Sequence, residues 1–226
     1  MATLTGVAEL LSDAERSAGE AHEITQRILR LRGDAFDDAL SAALESPQAG
    51  VVASQLLDQL TDWRVVIVAA ECAEKRVQGA EQALRRLCGT RGKGSRDKRY
   101  SAVHALTRVV GFKPSIDVIL DGLEDRDSIV AEDVAITLEE CMDPAIVDDL
   151  SNWLQRRMRQ ARTRNQARVT ANTIATCLRL GNDASRSDLK NTATNWRLTP
   201  LEKLALDEQW RGHIAAGTYP EVGWPD

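Results

Sequence analysis

The residue types that most often carry chemistry are few and scattered in this chain. Its four cysteines, Cys72, Cys88, Cys141 and Cys177, form no C-x-x-C pair, so neither a zinc knuckle nor a dithiol redox centre has the ligand spacing it needs. Each falls at or near the apolar side of a helical pattern, where a reduced cysteine behaves as a small hydrophobe; a reducing cytoplasm is the expected compartment. His22, His104 and His213 are far apart and make no H-E-x-x-H motif, and nothing local couples one to a cysteine nucleophile. Adjacent carboxylates occur at Asp37-Asp38, Glu139-Glu140 and Asp148-Asp149. Consecutive positions on a helix diverge by about 100°, so these pairs read as solvated faces, not acid–base couples. No catalytic residue, cofactor or metal site is expected.

Two basic clusters are the next candidates. The first gathers Arg85, Arg86, Arg91, Lys93, Arg96, Lys98 and Arg99 around Gly89-Thr90-Arg91-Gly92-Lys93-Gly94-Ser95. A flexible loop of this kind could offer amides and cations to phosphate, and Arg91, Lys93 and Arg96 are the candidate contacts. It is not a nucleotide-hydrolysing P-loop, because Gly94 follows the lysine and no strand precedes the loop. Glycine freedom and charge repulsion make residues 89–96 the expected most mobile internal loop. The second cluster is Arg156, Arg157, Arg159, Arg162, Arg164 and Arg168, with Arg159 and Arg162 as further phosphate candidates. A solvated face is the alternative for both.

Charge is segregated although the whole chain of 226 residues carries only −5. Residues 85–113 hold 9 basic and 1 acidic group, residues 114–152 hold 1 and 12, and residues 153–168 hold 6 and none. A uniformly basic nucleic-acid binder is thereby disfavoured, and local potentials alternate instead. At 43% hydrophobic the chain can bury a core, and at 4% aromatic it lacks the composition of a strand-rich fold. The longest apolar run, Val65 to Ala70, is far short of the roughly 20 residues that span a bilayer, and no basic-then-apolar leader opens the sequence.

The elements that must position these residues all read as helices. Apolar residues recur in three- and four-residue steps: Ile116, Ile119, Leu120 and Leu123; Val130, Val134, Leu138 and Cys141; Ala167, Ala171, Ile174 and Leu178. The pattern predicts a helix near 4–18, then pairs at 20–31 and 34–45, 49–60 and 63–76, 78–88 and 97–110, 114–124 and 128–141, 144–160 and 163–180, 185–195 and 199–213. Pro144 and Thr199-Pro200 mark helix starts. Second helices recurring every 28 to 36 residues point to an α-solenoid. Trp63, Trp153 and Trp210 are expected to pack between repeats, with Trp196 beside a helix junction. Residues 214–226, which include Trp224, form a non-helical tail that caps the last repeat or docks elsewhere.

The run Ile119-Leu120-Asp121-Gly122-Leu123-Glu124-Asp125-Arg126-Asp127-Ser128-Ile129-Val130, followed by Val134 and Leu138, resembles the HEAT repeat. There an L-x-x-L-x-D-x-D turn leads into a V-x-x-x-A-x-x-x-L helix. Asp62, Val65, Ala69 and Ala73 keep the same spacing, and Ala102 with Leu106 and Ala171 with Ala175 match the small-residue columns. The family's usual arginine after the valine is replaced by Ala131 and Val66. The resemblance implies an all-α, right-handed α-solenoid of about five to six hairpins, a single domain over residues 1–213, with second helices lining a concave binding face.

On that basis the expected function is a protein–protein scaffold or adaptor. Glu132, Asp133, Glu139 and Glu140 would meet a partner protein with a basic patch, and Lys98, Arg99, Arg164 and Arg168 would set its register. The alternative is a DNA- or RNA-binding HEAT-like protein similar to the alkylpurine DNA glycosylases, using segments 85–99 and 156–168. Trp153 and Trp196 with Asp148 or Asp149 would be its chemical centre, but the acidic repeat at 114–152 would interrupt its nucleic-acid track. A HEAT-like bilin lyase is a third class, with no motif behind it. No membrane association is expected.

Overall fold

The computed structural model describes residues 4–92, 94–160 and 163–208, with side chains from residue 17 onward. Among the described residues the fold is all-α, with twelve helices and no strand. No helix among them is long and apolar enough to cross a membrane. The chain divides into two compact units, Met1–Gly111 and Phe112–Asp226.

In the first unit the helices are α1 (Leu4–Leu29), α2 (Asp34–Leu44), α3 (Ala49–Gln59), α4 (Arg64–Lys75), α5 (Glu81–Cys88) and α6 (Arg96–Val110). Each odd helix packs on the next odd one, α1 on α3 and α3 on α5. The even helices do the same, α2 on α4 and α4 on α6, while α1–α2, α3–α4 and α5–α6 pack as pairs. The two separate amino-terminal helices expected from the sequence are one, α1, running through Gly19. An interior glycine costs only about 1 kcal/mol, too little to break a helix flanked by Ala18 and Glu20.

Apolar steps of three and four bury one face of each helix. Phe36 and Leu40 of α2, Val52, Ala53 and Leu56 of α3, and Val65, Val68 and Cys72 of α4 are all at most 1% exposed. Burying each large side chain contributes about 1.5–3 kcal/mol. Helix α4 ends at Arg76, whose left-handed backbone (φ 49°) lets the Val77 amide bond back to the Cys72 carbonyl at 3.0 Å. Val77 then folds onto the core, as in the Schellman closure.

The second unit contains α7 (Ile116–Leu123), α8 (Ser128–Thr137), α9 (Val147–Arg157), α10 (Arg164–Leu180), α11 (Asp183–Ala193) and α12 (Pro200–Leu206). Again α7 packs on α9 and α9 on α11, while α8 packs on α10 and α10 on α12. Polar caps set the starts. The Asp127 carboxylate accepts from the Ile129 amide, and Thr163–Gln166 and Thr199–Glu202 are reciprocal capping boxes. Three predicted ends are tighter than α-helix: Lys113–Ser115, Leu138–Glu140 and Pro144–Ile146 are 3-10 turns. At the first and last of these, proline fixes the entry geometry. Gly122 is where α7 crosses α8 closely, since a Cβ there would stand 2.9 Å from Val134 Cγ2. Residues 209–213 of the predicted last helix and the tail from 214 lie outside the described residues.

Candidate interaction surface and cleft

The basic loop of the first unit is tied down by one of its own arginines. Arg99 is only 6% exposed. Its Nη1 donates to the Thr90 carbonyl at 3.3 Å and to Ser95 Oγ at 2.5 Å, and Ser95 Oγ donates to the Gly92 carbonyl at 2.7 Å. Arg99 therefore offers no surface charge to a partner, and the loop expected to be most mobile has an internal clamp. Lys98 reaches back to the Thr61 carbonyl at 2.9 Å, and Arg86 forks onto Asp58 with two contacts of 2.8 Å. Arg91 and Arg96 are exposed; Lys93 lies outside the described residues. Much of this block is thus engaged within its own unit, which composition alone does not reveal.

In the second unit the arginine block is split by burial. Arg156, Arg159 and Arg164 are exposed, Arg157 is 6% exposed, and Arg162 lies outside the described residues. Arg168 on α10 meets Glu132 on α8 at 3.4 Å, so two residues expected to face a partner face each other. Of the other acids, Asp133 and Glu139 are half-buried and Glu140 is exposed. Glu139 and Glu140 sit in the 3-10 turn beyond α8, not on the helix itself.

What the sequence reading missed on α8 is apolar. Val130, Ala131, Val134 and Ala135 bury one side of this helix, yet Ile129 is 45% and Ile136 42% exposed on the other. These two are seven positions apart, with Glu132 and Asp133 between them, so all four share one face. Met142, 81% exposed, follows just beyond. The signal was present in the sequence as two isoleucines on the side of the helix opposite its Val130–Val134 stripe, which a monomer surface does not call for.

A cleft of about 310 Å³ opens at the other end of α8. Its walls are the α7–α8 turn (Leu123 to Arg126), the first turn of α8 at Ser128, the last residue of α9, Arg157, and the start of α10 at Thr163, Asn165 and Gln166. Neither α8 alone nor α10 alone forms it; the side-by-side packing of their amino-terminal ends does.

Two of the residues expected for a glycosylase-like centre have structural surroundings of their own. Trp153 is 2% exposed in the core, and Asp149 is held by Lys113 at 2.5 Å. Trp63 is 64% exposed at the entry to α4 and does not pack between repeats; Trp196 is half-buried, and Trp210 and Trp224 lie outside the described residues. No group of three His, Cys, Asp or Glu side chains converges on a metal-sized site among the described residues. No family model, curated protein or solved structure matches the chain.

The thiols are protected by packing. Burial pushes Cys72 and Cys177 up to about 12, the Ser151 hydroxyl partly offsetting this at Cys177, and burial also raises Cys141. Cys88 alone is half-exposed among the four. A thiol reagent should therefore modify one cysteine rapidly in the native protein and four after denaturation, and Cys88→Ser should remove the fast phase. Two or more fast thiols would contradict the packing. Because the buried thiols ionise more easily in the unfolded chain, their contribution to stability is complete below about pH 8.5 and is lost as pH rises towards the folded values.

Proposed function

We propose that the chain is a HEAT-like helical-repeat scaffold that binds a basic, amphipathic segment of a partner protein on the outer face of α8. The observation that carries this reading is the pair of exposed isoleucines, Ile129 and Ile136, set among Glu132, Asp133 and the exposed Glu140. Apolar side chains of a partner helix would cover the isoleucines while its cations meet the exposed Glu140, which gives both burial and register.

The repeat reading is supported by the like-on-like packing of odd and even helices in each unit. It is supported too by the polar links between elements. They join residues 28 apart at Arg86–Asp58, 36 apart at Arg168–Glu132 and 37 apart at Lys98–Thr61, about one repeat length each. A right-handed solenoid built from such hairpins would present α8 on its second-helix face.

The test is affinity purification from the native host with nuclease treatment, comparing the wild-type chain with Ile129→Ser/Ile136→Ser/Glu140→Lys. A protein that survives nuclease and is lost with the variant is the expected result, with both baits melting at similar temperatures. Recovery that nuclease abolishes and the variant leaves intact would overturn the scaffold reading in favour of nucleic acid.

A further inference from the structure

We infer that the cleft between the α7–α8 turn and the start of α10 is a binding site for a carboxylate. This inference is independent of the partner surface on α8. The first observation is Arg157. It lines the cleft, is more than nine-tenths buried, and makes its one hydrogen bond among the described residues to a neutral amide, Gln160 Oε1 at 2.6 Å. Glu124 and Asp125 line the same cleft, but neither comes within the 4.0 Å of an ion pair with Arg157. A buried cation is ordinarily neutralised by a carboxylate or by a ligand. Here the Arg157 guanidinium lines the cavity with no carboxylate paired to it among the described residues.

The second observation is the geometry around it. The cleft receives the amino-terminal ends of α8 and α10, where helix dipoles favour negative charge. The Ser128 hydroxyl and the Asn165 carboxamide line it and have no partner among the described residues. The planar fork of an arginine suits a carboxylate, and these two groups can complete its hydrogen bonding. Glu124 and Asp125, which also line the cleft, disfavour a dianion such as phosphate more strongly than a single carboxylate. Leu123, Ala131 and Val169 supply an apolar wall for the carbon skeleton behind the carboxylate. The volume suits a small acid or the last residues of a peptide.

The two sources of a carboxylate, a free organic acid and a peptide chain end, are separated by the probes. Succinate, glutamate and hexanoate are compared with an acetylated tripeptide bearing a free carboxyl terminus. Succinamide, the tripeptide amide and inorganic phosphate are the controls. Calorimetric titration of the full chain at low salt should show saturable binding of at least one carboxylate and none of the amides. Binding by the tripeptide alone assigns the site to a chain end; binding by a free acid alone assigns it to a small molecule.

Arg157→Lys, which keeps charge but loses the fork, and Asn165→Asp, which puts a negative charge in the cleft, should each weaken binding by about tenfold or more. Asn165→Asp lies in the first turn of α10, where an acid favours the helix, so its effect is not a folding defect. No binding of any carboxylate, equal binding of phosphate or of the amides, or undiminished binding to Asn165→Asp would overturn the inference.

Discussion

Truncating Arg64 to alanine is expected to lower the stability of the first unit by about 2–4 kcal/mol. Arg64 is 5% exposed at the start of α4, and its Nη1 donates to the carbonyls of Leu29 and Leu31, both at 3.1 Å, closing the end of α1. Its Nε and Nη2 fork onto Asp62, and its guanidinium lies 5.2 Å from the centre of the Phe36 ring on α2. One side chain thus joins α1, α2 and α4, and its removal strands two carbonyls and a carboxylate at once. Arg64→Lys should recover part of the loss, since it keeps the charge but not the fork. The pH dependence has a definite sign. The Arg64 hydrogen bond holds the Asp62 carboxyl below its ordinary value, against some opposing desolvation. The contribution is therefore complete above the ordinary carboxylate range and is lost as pH falls through the depressed value. Thermal melts from pH 7 down to about pH 3 should show a shallower acid limb for the alanine variant. A melting temperature within a degree of wild type would show that the clamp holds nothing.

An alanine at Gly50 is expected to be at least as damaging, by about 3 kcal/mol or by outright failure to fold. Gly50 lies in the first turn of α3, and a Cβ built there stands 2.1 Å from the Gln78 carbonyl oxygen and 3.2 Å from Gly79 Cα. Both are backbone atoms, so no rotamer change relieves the overlap. Gly79 itself sits at φ 90°, where a side chain would be strained, and so completes a contact that glycine permits from both sides. Gly19→Ala is the matched control. Nothing lies within 4 Å of its Cβ position, and alanine there should raise stability by up to about 1 kcal/mol. Equal melting temperatures for the two alanine variants would rule out the close approach.

The sequence made the helices readable because their ends carry their own chemistry. Asp127, Pro144 and Thr199-Pro200 stand where the structure places a cap or a first turn. Gly19 misled because a glycine marks an end only when nothing downstream continues the helix, and α1 continues. Charged side chains were harder to place. Runs such as 85–99 and 156–168 look alike as solvated faces, but Arg99 and Arg157 within them are buried, as is Arg64, whose partners lie far off in the chain. The carbonyls that Arg64 closes are 33 and 35 positions away. The cleft at Arg157 depends on α8 and α10 being neighbours, and no local window contains both. The exposed face of α8 was overlooked because Val130, Val134 and Leu138 already satisfied the expected stripe, which left Ile129 and Ile136 uncounted.

The short reach of the polar links also bears on how the chain acquires its structure. Of the side-chain bonds between elements, that from Arg179 to the Leu138 carbonyl joins residues 41 apart, and Thr170 to Glu202 joins residues 32 apart. Each of these closures can form as soon as one further helical hairpin has been made, so the entropic cost of loop closure stays small for them. Refolding should accordingly be rapid for a chain of this length, and assembly can proceed hairpin by hairpin while synthesis is still under way.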